Sequence, residues 1–169
     1  MPDVAHSPSS SETARADDVL GRPARWSCRV VSSRAELAEH LRIRRSVFVT
    51  EQGLFTEDDQ DVHDAEPDTV HVLGFRSGTP VGTVRLYPLD GGLWRGDRLA
   101  VRSEHRQSGI GAPLVRLAVA TAGARGGARM HAVVQTANVD FFTALGWRAE
   151  GAVHAYLGVP HQTMSIALG

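Results

Sequence analysis

The chain contains no lysine: all 18 of its Lys+Arg positions are arginine, in 169 residues. That absence excludes Schiff-base chemistry on this chain and removes lysine as a general base. There is one cysteine, Cys28, so no intrachain disulfide can form, and a reducing cytoplasm is the expected compartment. A lone cysteine in an early strand reads as a core residue rather than a nucleophile. No apolar run approaches the ~18 residues of a membrane span, and the N-terminus lacks the charged-then-apolar pattern of a signal peptide. An excess of one charge is also missing: 19 acidic residues leave a net charge of −1, which argues against nucleic acid or an anionic membrane as the main partner.

What is present has the length of one domain with a proper core. Residues 1 to about 25 are rich in Ser, Ala, Asp and Pro, a composition that cannot offset the entropy of ordering. They are expected to form a disordered tail, with a single domain over 26–169. Trp26 to Val31 alternates like a strand. Ser33 with Glu36 three residues on forms a capping box for a helix that carries Leu37, Leu41, Val47 and Phe48 to about Val49. Thr50 to Asp68 holds Glu57, Asp58, Asp59, Asp61, Asp64, Glu66 and Asp68 and no arginine, and reads as a long functional or mobile loop. Strands at Thr69–Phe75 and Val81–Tyr87 flank a Ser77-Gly78-Thr79-Pro80 turn. A strand Leu93–Val101, a helix Gly111–Ala124, a strand Arg129–Val134, a helix Asn138–Leu145, and strands Trp147–Val153 and Thr163–Ala167 complete the order. Antiparallel strands followed by a strand-helix-strand crossover predict an α/β, mixed-sheet domain with helices on its faces.

The most informative stretch runs from Leu99 to Pro113, an apolar strand entering the loop Arg106-Gln107-Ser108-Gly109-Ile110-Gly111-Ala112 that opens onto a helix. Unpaired N–H groups and the positive end of the macrodipole make such a helix start an anion site. It lacks the lysine and Ser/Thr of a Walker loop and has two of the three Rossmann glycines. The Arg-x-x-Gly-x-Gly pattern resembles the acyl-CoA loop of the GNAT acyltransferase superfamily, and the order of elements from about Arg25 onward is similar to that fold. The resemblance implies acetyl-CoA or another acyl-CoA as cosubstrate, with no metal. Leu99, Ala100 and Val101 would then align the pantetheine arm, and Arg106, Gln107, Ser108, Gly109, Ile110, Gly111 and Ala112 would wrap the pyrophosphate. The segment Asn138 to Trp147 resembles the superfamily's Asn-x-x-Phe-Tyr-x-x-Leu-Gly-Phe, placing Asn138 and Phe142 beside the CoA arm. Phe142 stands where a tyrosine commonly protonates the leaving thiolate, and has no proton to give.

Two further motifs, Val47-Phe48-Val49-Thr50-Glu51-Gln52 and Pro160-His161-Gln162-Thr163-Met164, resemble a small acyltransferase subgroup linked to nitrogen starvation. An amine acceptor is mostly ammonium at neutral pH and needs a base of pKa near 7, which an imidazole supplies. His161 and Glu51 are therefore the expected catalytic residues, with Tyr156, and more weakly His154, on the same C-terminal segment. The expected reaction is acetyl transfer to a small-molecule or peptide amine by direct attack in a ternary complex, and the resemblance also implies a homodimer. Two alternatives stand beside it. Arg44, Phe48, Asp59, Asp61, Asp64 and Arg85 are similar to the front half of acyl-homoserine-lactone synthases, which bind S-adenosylmethionine, but Leu54 replaces a tryptophan and Arg95 a glutamate of that pattern. An acyl-CoA-binding module without catalysis is the other, on the strength of Phe142. The acids of 57–68 read as a solvated loop, an acceptor-binding one, or partners for Arg44 and Arg45. They do not form a calcium loop, for which the glycine and distal glutamate are missing.

Overall fold

A computed structural model describes residues 14–15 and 25–169. The expectation of a disordered segment up to residue 25 falls mainly outside them. Of that segment the structure describes Ala14–Arg15, a two-residue strand, β1, paired antiparallel to Ser27 and Cys28. No helix among the described residues is long and apolar enough to cross a membrane.

The sheet contains β1, β2 (Trp26–Val30), β3 (Val70–Arg76), β4 (Thr79–Pro88), β5 (Leu93–Val101), β6 (Arg129–Gln135), β7 (Arg148–Tyr156) and β8 (Val159–Ala167). Their spatial order is β1-β2-β3-β4-β5-β6-β8-β7. Every pairing is antiparallel except β5 with β6. The crossover between those two is α2 (Gly111–Ala124), as a parallel connection requires. This is the mixed α/β sheet that the element order predicts.

β3 and β4 are buried on both faces, because α1 (Arg34–Arg44) covers one side and α2 the other. Alternation along the strands sends His71, Leu73, Phe75, Thr83, Arg85 and Tyr87 toward α1, while Val72, Gly74, Gly82, Val84 and Leu86 face α2. Two glycines set how closely α2 approaches. A Cβ on Gly74 would lie 2.9 Å from Ile110 Cγ1, and one on Gly82 2.9 Å from Leu114 Cδ1. The larger apolar core joins the α2 face to Met130, Ala132, Val134, Phe142, Trp147 and Met164. Phe142 comes from α3 (Val139–Ala144), whose ring meets Trp147 edge-on at 5.3 Å. The smaller core lies under α1, around Ile43, Val47, Phe48, Leu73, Phe75 and Ala100.

Several local expectations are corrected. Helix α1 does begin at the Ser33 cap, whose Oγ accepts from Glu36 N–H at 3.1 Å, but the Glu36 carboxylate reaches back to Ser32 N–H at 2.9 Å rather than to Ser33. The helix continues past Val49 as a wider π-turn over Arg45–Glu51. Its buried face carries His40, Ile43 and Arg44, while Leu37 and Leu41 are only partly buried. β8 begins at Val159, four residues earlier than expected, so His161 lies inside the strand rather than at its mouth. It pairs with Gln135 on β6 and His154 on β7.

Candidate active site

β5 and β6 pair over only three positions, Leu93↔Arg129, Trp94↔Met130 and Arg95↔His131. Beyond these the two strands part, while β4 keeps Gly82↔Val101 and Thr83↔Ala100 on the far side. Among the described residues, the edge of Leu99, Ala100 and Val101 that faces β6 is thus left without a strand partner. A bulge helps to open it: between Thr83↔Ala100 and Arg85↔Asp97, two residues of β5 oppose Val84 alone. Arg98 in that bulge adopts φ +54°, and its carbonyl accepts a 2.9 Å bond from Thr83 Oγ1. The bulge could not be foreseen from period-two alternation, since it inverts the faces of every residue after it.

The loop at the end of β5 coils as a 3₁₀ segment over Ser103–Ser108 and reaches Gly109 at φ +84°, a left-handed position suited to glycine. Ile110, fully buried, then starts α2 with no side-chain cap, so the first N–H groups of the helix stay available to an anion. A Cβ on Gly111 would meet the Phe141 ring at 3.3 Å. Arg106, half-exposed, donates from Nε to Val101 O at 3.2 Å and pairs with Glu51. Glu51 therefore faces the anion loop, as the partner of Arg106. Its neighbour Gln52 accepts from Gln135 Nε2 at 3.1 Å, so the end of the π-turn spans the mouth of the cleft from β5's loop to β6.

Inside the cleft lies a cavity of about 340 Å³, lined among others by Leu99, Gln135, Asn138, Phe142, Tyr156 and His161. His161 is 5% exposed, and its Nδ1 stands 2.7 Å from Val159 O. A carbonyl can only accept, so Nδ1 carries the proton and Nε2 of the neutral ring keeps a lone pair. The Tyr156 ring meets it edge-on at 5.2 Å. Phe142 lines the cavity but is packed between Phe141 and Trp147. His154 is exposed and bonds only the nearby Ala152 O, at 3.4 Å.

The other end of the cavity is lined by residues that sequence reasoning placed elsewhere or did not single out: Asp61, His63, Tyr87, Arg95, Asp97 and Arg98. Here the acidic segment is not a solvated loop. Asp59 is 1% exposed and takes Arg44 Nε at 2.7 Å and Arg98 Nε at 2.9 Å. Asp64 receives both terminal nitrogens of Arg44, at 2.7 and 3.1 Å, and His71 Nε2 at 3.1 Å. Arg85, fully buried, holds Asp61 and Asp97 each with two bonds of 2.6–3.0 Å. Burial alone would raise the Asp64 carboxyl, but the bonds from His71 and Arg44 hold it far below the usual carboxylate range. The same opposition keeps Arg85 firmly charged, its burial outweighed by Asp97 and Asp61. Arg45 stays exposed and takes no part. Three arginines thus strap residues 59–64 across the α1 face as a wall of the cavity, while Glu57, Asp58, Glu66 and Asp68 point to solvent. His63 stacks on Tyr87 at 4.0 Å.

A mixed sheet that parts beside a glycine loop and helix start is the acyl-CoA N-acyltransferase fold. The acetyltransferase (GNAT) family matches residues 35–147, and the chain belongs to that family. It is 28% identical over 137 residues to the uncharacterized N-acetyltransferase YjcF of Bacillus subtilis, covering 80% of this chain and 95% of that one. Among solved structures it is similar to an acyl-CoA N-acyltransferase from Pseudomonas aeruginosa, with 25% identity, TM-score 0.71, and 83% and 97% of the two chains covered. The CoA-dependent acyl-homoserine lactone synthase BjaI, solved with SAM and isopentyl-CoA, shares the fold at 20% identity and TM-score 0.66, with 79% and 76% covered.

Proposed function

We propose that the protein transfers an acetyl group from acetyl-CoA to an amine by direct attack in a ternary complex. The observation that carries this reading is the meeting of two features in one cavity: the unpaired β5 edge at Leu99–Val101 and the free Nε2 of His161. The N–H groups from Arg106 to Ala112 hold the pyrophosphate, with Arg106 exchanging Glu51 for the anion, and Asn138 and Phe142 flank the arm. A backbone N–H of the β5 edge polarises the thioester carbonyl as negative charge develops on its oxygen. His161 Nε2 takes a proton from the attacking nitrogen, the C–N bond forms, the C–S bond breaks and the sulfur leaves with the electron pair. Phe142 cannot protonate it. Tyr156, against His161 in the same cavity, is the phenol available in its place. The pairing of Glu51 with Arg106 supports a role for Glu51 in donor binding more than as the base.

Isothermal titration with acetyl-CoA and a thiol-release assay over a panel of amines test the reading. Acetyl-CoA binds and thiol is released; His161→Ala lowers kcat at least 100-fold and leaves acetyl-CoA affinity unchanged. Failure to bind acetyl-CoA would overturn the assignment. Phe142 favours a second reading, an acyl-CoA-binding module without turnover, for which tight binding and no thiol release with any amine is the signature. A synthase using S-adenosylmethionine is read by consumption of that cosubstrate, and Arg95, a cation in the cavity wall, opposes a sulfonium there.

A further inference from the structure

The polar end of the cavity holds two kinds of arginine. Arg85 and Arg98 are neutralised: among the described residues, every ion pair of Asp61 and Asp97, the carboxylates that line the cavity, goes to one of these two arginines. Arg95 lines the same cavity and, among the described residues, its side chain makes neither an ion pair nor a hydrogen bond; its Nε is buried without a partner. The neighbour across the strand pair, His131, also has a buried, unpartnered Nε2. An imidazole carries no negative charge in either protonation state, so His131 offers Arg95 no opposing charge. The terminal nitrogens of Arg95 are not buried with it, and in the cavity wall they can take a ligand anion.

Strand register fixes which way Arg95 looks. Arg95 pairs directly with Tyr87 and His131, and His161 pairs with Gln135, an even number of residues along β6 from His131. All of these positions therefore share one face of the sheet. Four residues of β6 separate the level of Arg95 from that of His161, about 13 Å along the strand, and a long, flexible arginine side chain closes part of that span.

We propose that the acceptor is a small amino-carboxylate, its amine presented to His161 and its carboxylate paired with the guanidinium of Arg95. This rests on the acetyltransferase reading and names the substrate class of that site. Arginine's planar fork matches a carboxylate with two parallel bonds, and Asp61 and Asp97, the acids that line the cavity, are both engaged by Arg85 and Arg98. Arg95 is a specificity-determining residue here; it does not touch the reacting atoms.

Binding tests the proposal independently of turnover. The protein, alone and saturated with CoA, is titrated calorimetrically with glycine, 4-aminobutanoate, 5-aminopentanoate and lysine, and with the matching uncharged-end compounds: glycinamide, propylamine, butylamine and lysinamide. At least one carboxylate binds tenfold or more tightly than its counterpart, and Arg95→Gln abolishes that preference while CoA affinity and Tm stay unchanged; Arg95→Lys restores part of it. Equal affinities throughout each pair, or a preference that survives Arg95→Gln, would overturn the proposal. Failure of the acetyltransferase reading shows differently, as absent acetyl-CoA binding with the carboxylate preference still measurable on the protein alone.

Discussion

His40 gives the sharpest handle on the α1 side of the molecule. It is fully buried, its Nε2 lies 3.3 Å from Val84 O, and its Nδ1 has no partner. Protonation would place a second N–H in a dry site beside the His71 ring, 4.9 Å away edge-on, and one turn from Arg44. Burial first, then the charges of His71 and Arg44, push its pKa from 6.5 down to about 3. The unfolded chain then binds a proton that the folded chain refuses. The stability this contributes is complete above pH 6.5 and is lost as pH falls from there toward 3, at about 1.4 kcal/mol per pH unit. Between pH 7 and pH 5 the loss attributable to this one residue is about 2 kcal/mol. Urea unfolding at the two pH values, followed by tryptophan fluorescence, is the assay, with His40→Gln as comparison. The variant has its own stability, but it should lose about 2 kcal/mol less than the parent on going to pH 5. If both proteins lose the same amount, the buried neutral imidazole is not the source of the acid sensitivity.

Two further outcomes follow from the strap and the loop. Asp59→Asn removes the carboxylate shared by Arg44 and Arg98 and leaves Arg44 with Asp64 alone, which should cost about 2–4 kcal/mol and lower Tm by roughly 5–15 °C in thermal denaturation; a change below ~1 kcal/mol would show the strap to be dispensable. Gly109→Ala puts a side chain at a left-handed position at a cost of about 1–2 kcal/mol: a loop that holds its shape shows it as a lowered Tm with acetyl-CoA affinity unchanged, a loop that relaxes in the free protein shows it as a roughly 5- to 30-fold loss of affinity by calorimetry, and no change in either would refute the strain.

The order of elements was legible because hydrophobic period and turn chemistry are local. Leu93–Val101 and Gly111–Ala124 fall where alternation, glycines and Pro113 place them. Strand β8 starts earlier than local chemistry indicates, because Pro160 and His161 look like turn residues, yet Pro160 pairs with Ala155 on the outer strand and His161 with a strand on either side. Of the readings of the acidic segment, pairing with Arg44 holds at Asp59 and Asp64, Arg45 takes no part, and the solvated loop fails at 59–64 for a related reason. Charge counted along the chain says nothing of Arg44, Arg85 and Arg98, which lie 15 to 39 positions from Asp59 and Asp61 and meet them only through the sheet.

The sequence by itself determined the family, the glycine loop from Arg106 to Ala112 and the absence of a phenol at Phe142, since each is a matter of residue type at a fixed local spacing. Tertiary structure alone decided where β5 leaves β6, that Glu51 faces Arg106, that His161 keeps Nε2 free, and that Arg95 lacks the partners its neighbours have. Those properties depend on which side chains from distant segments share one face of the sheet, and a single bulge at Arg98 is enough to change that sharing.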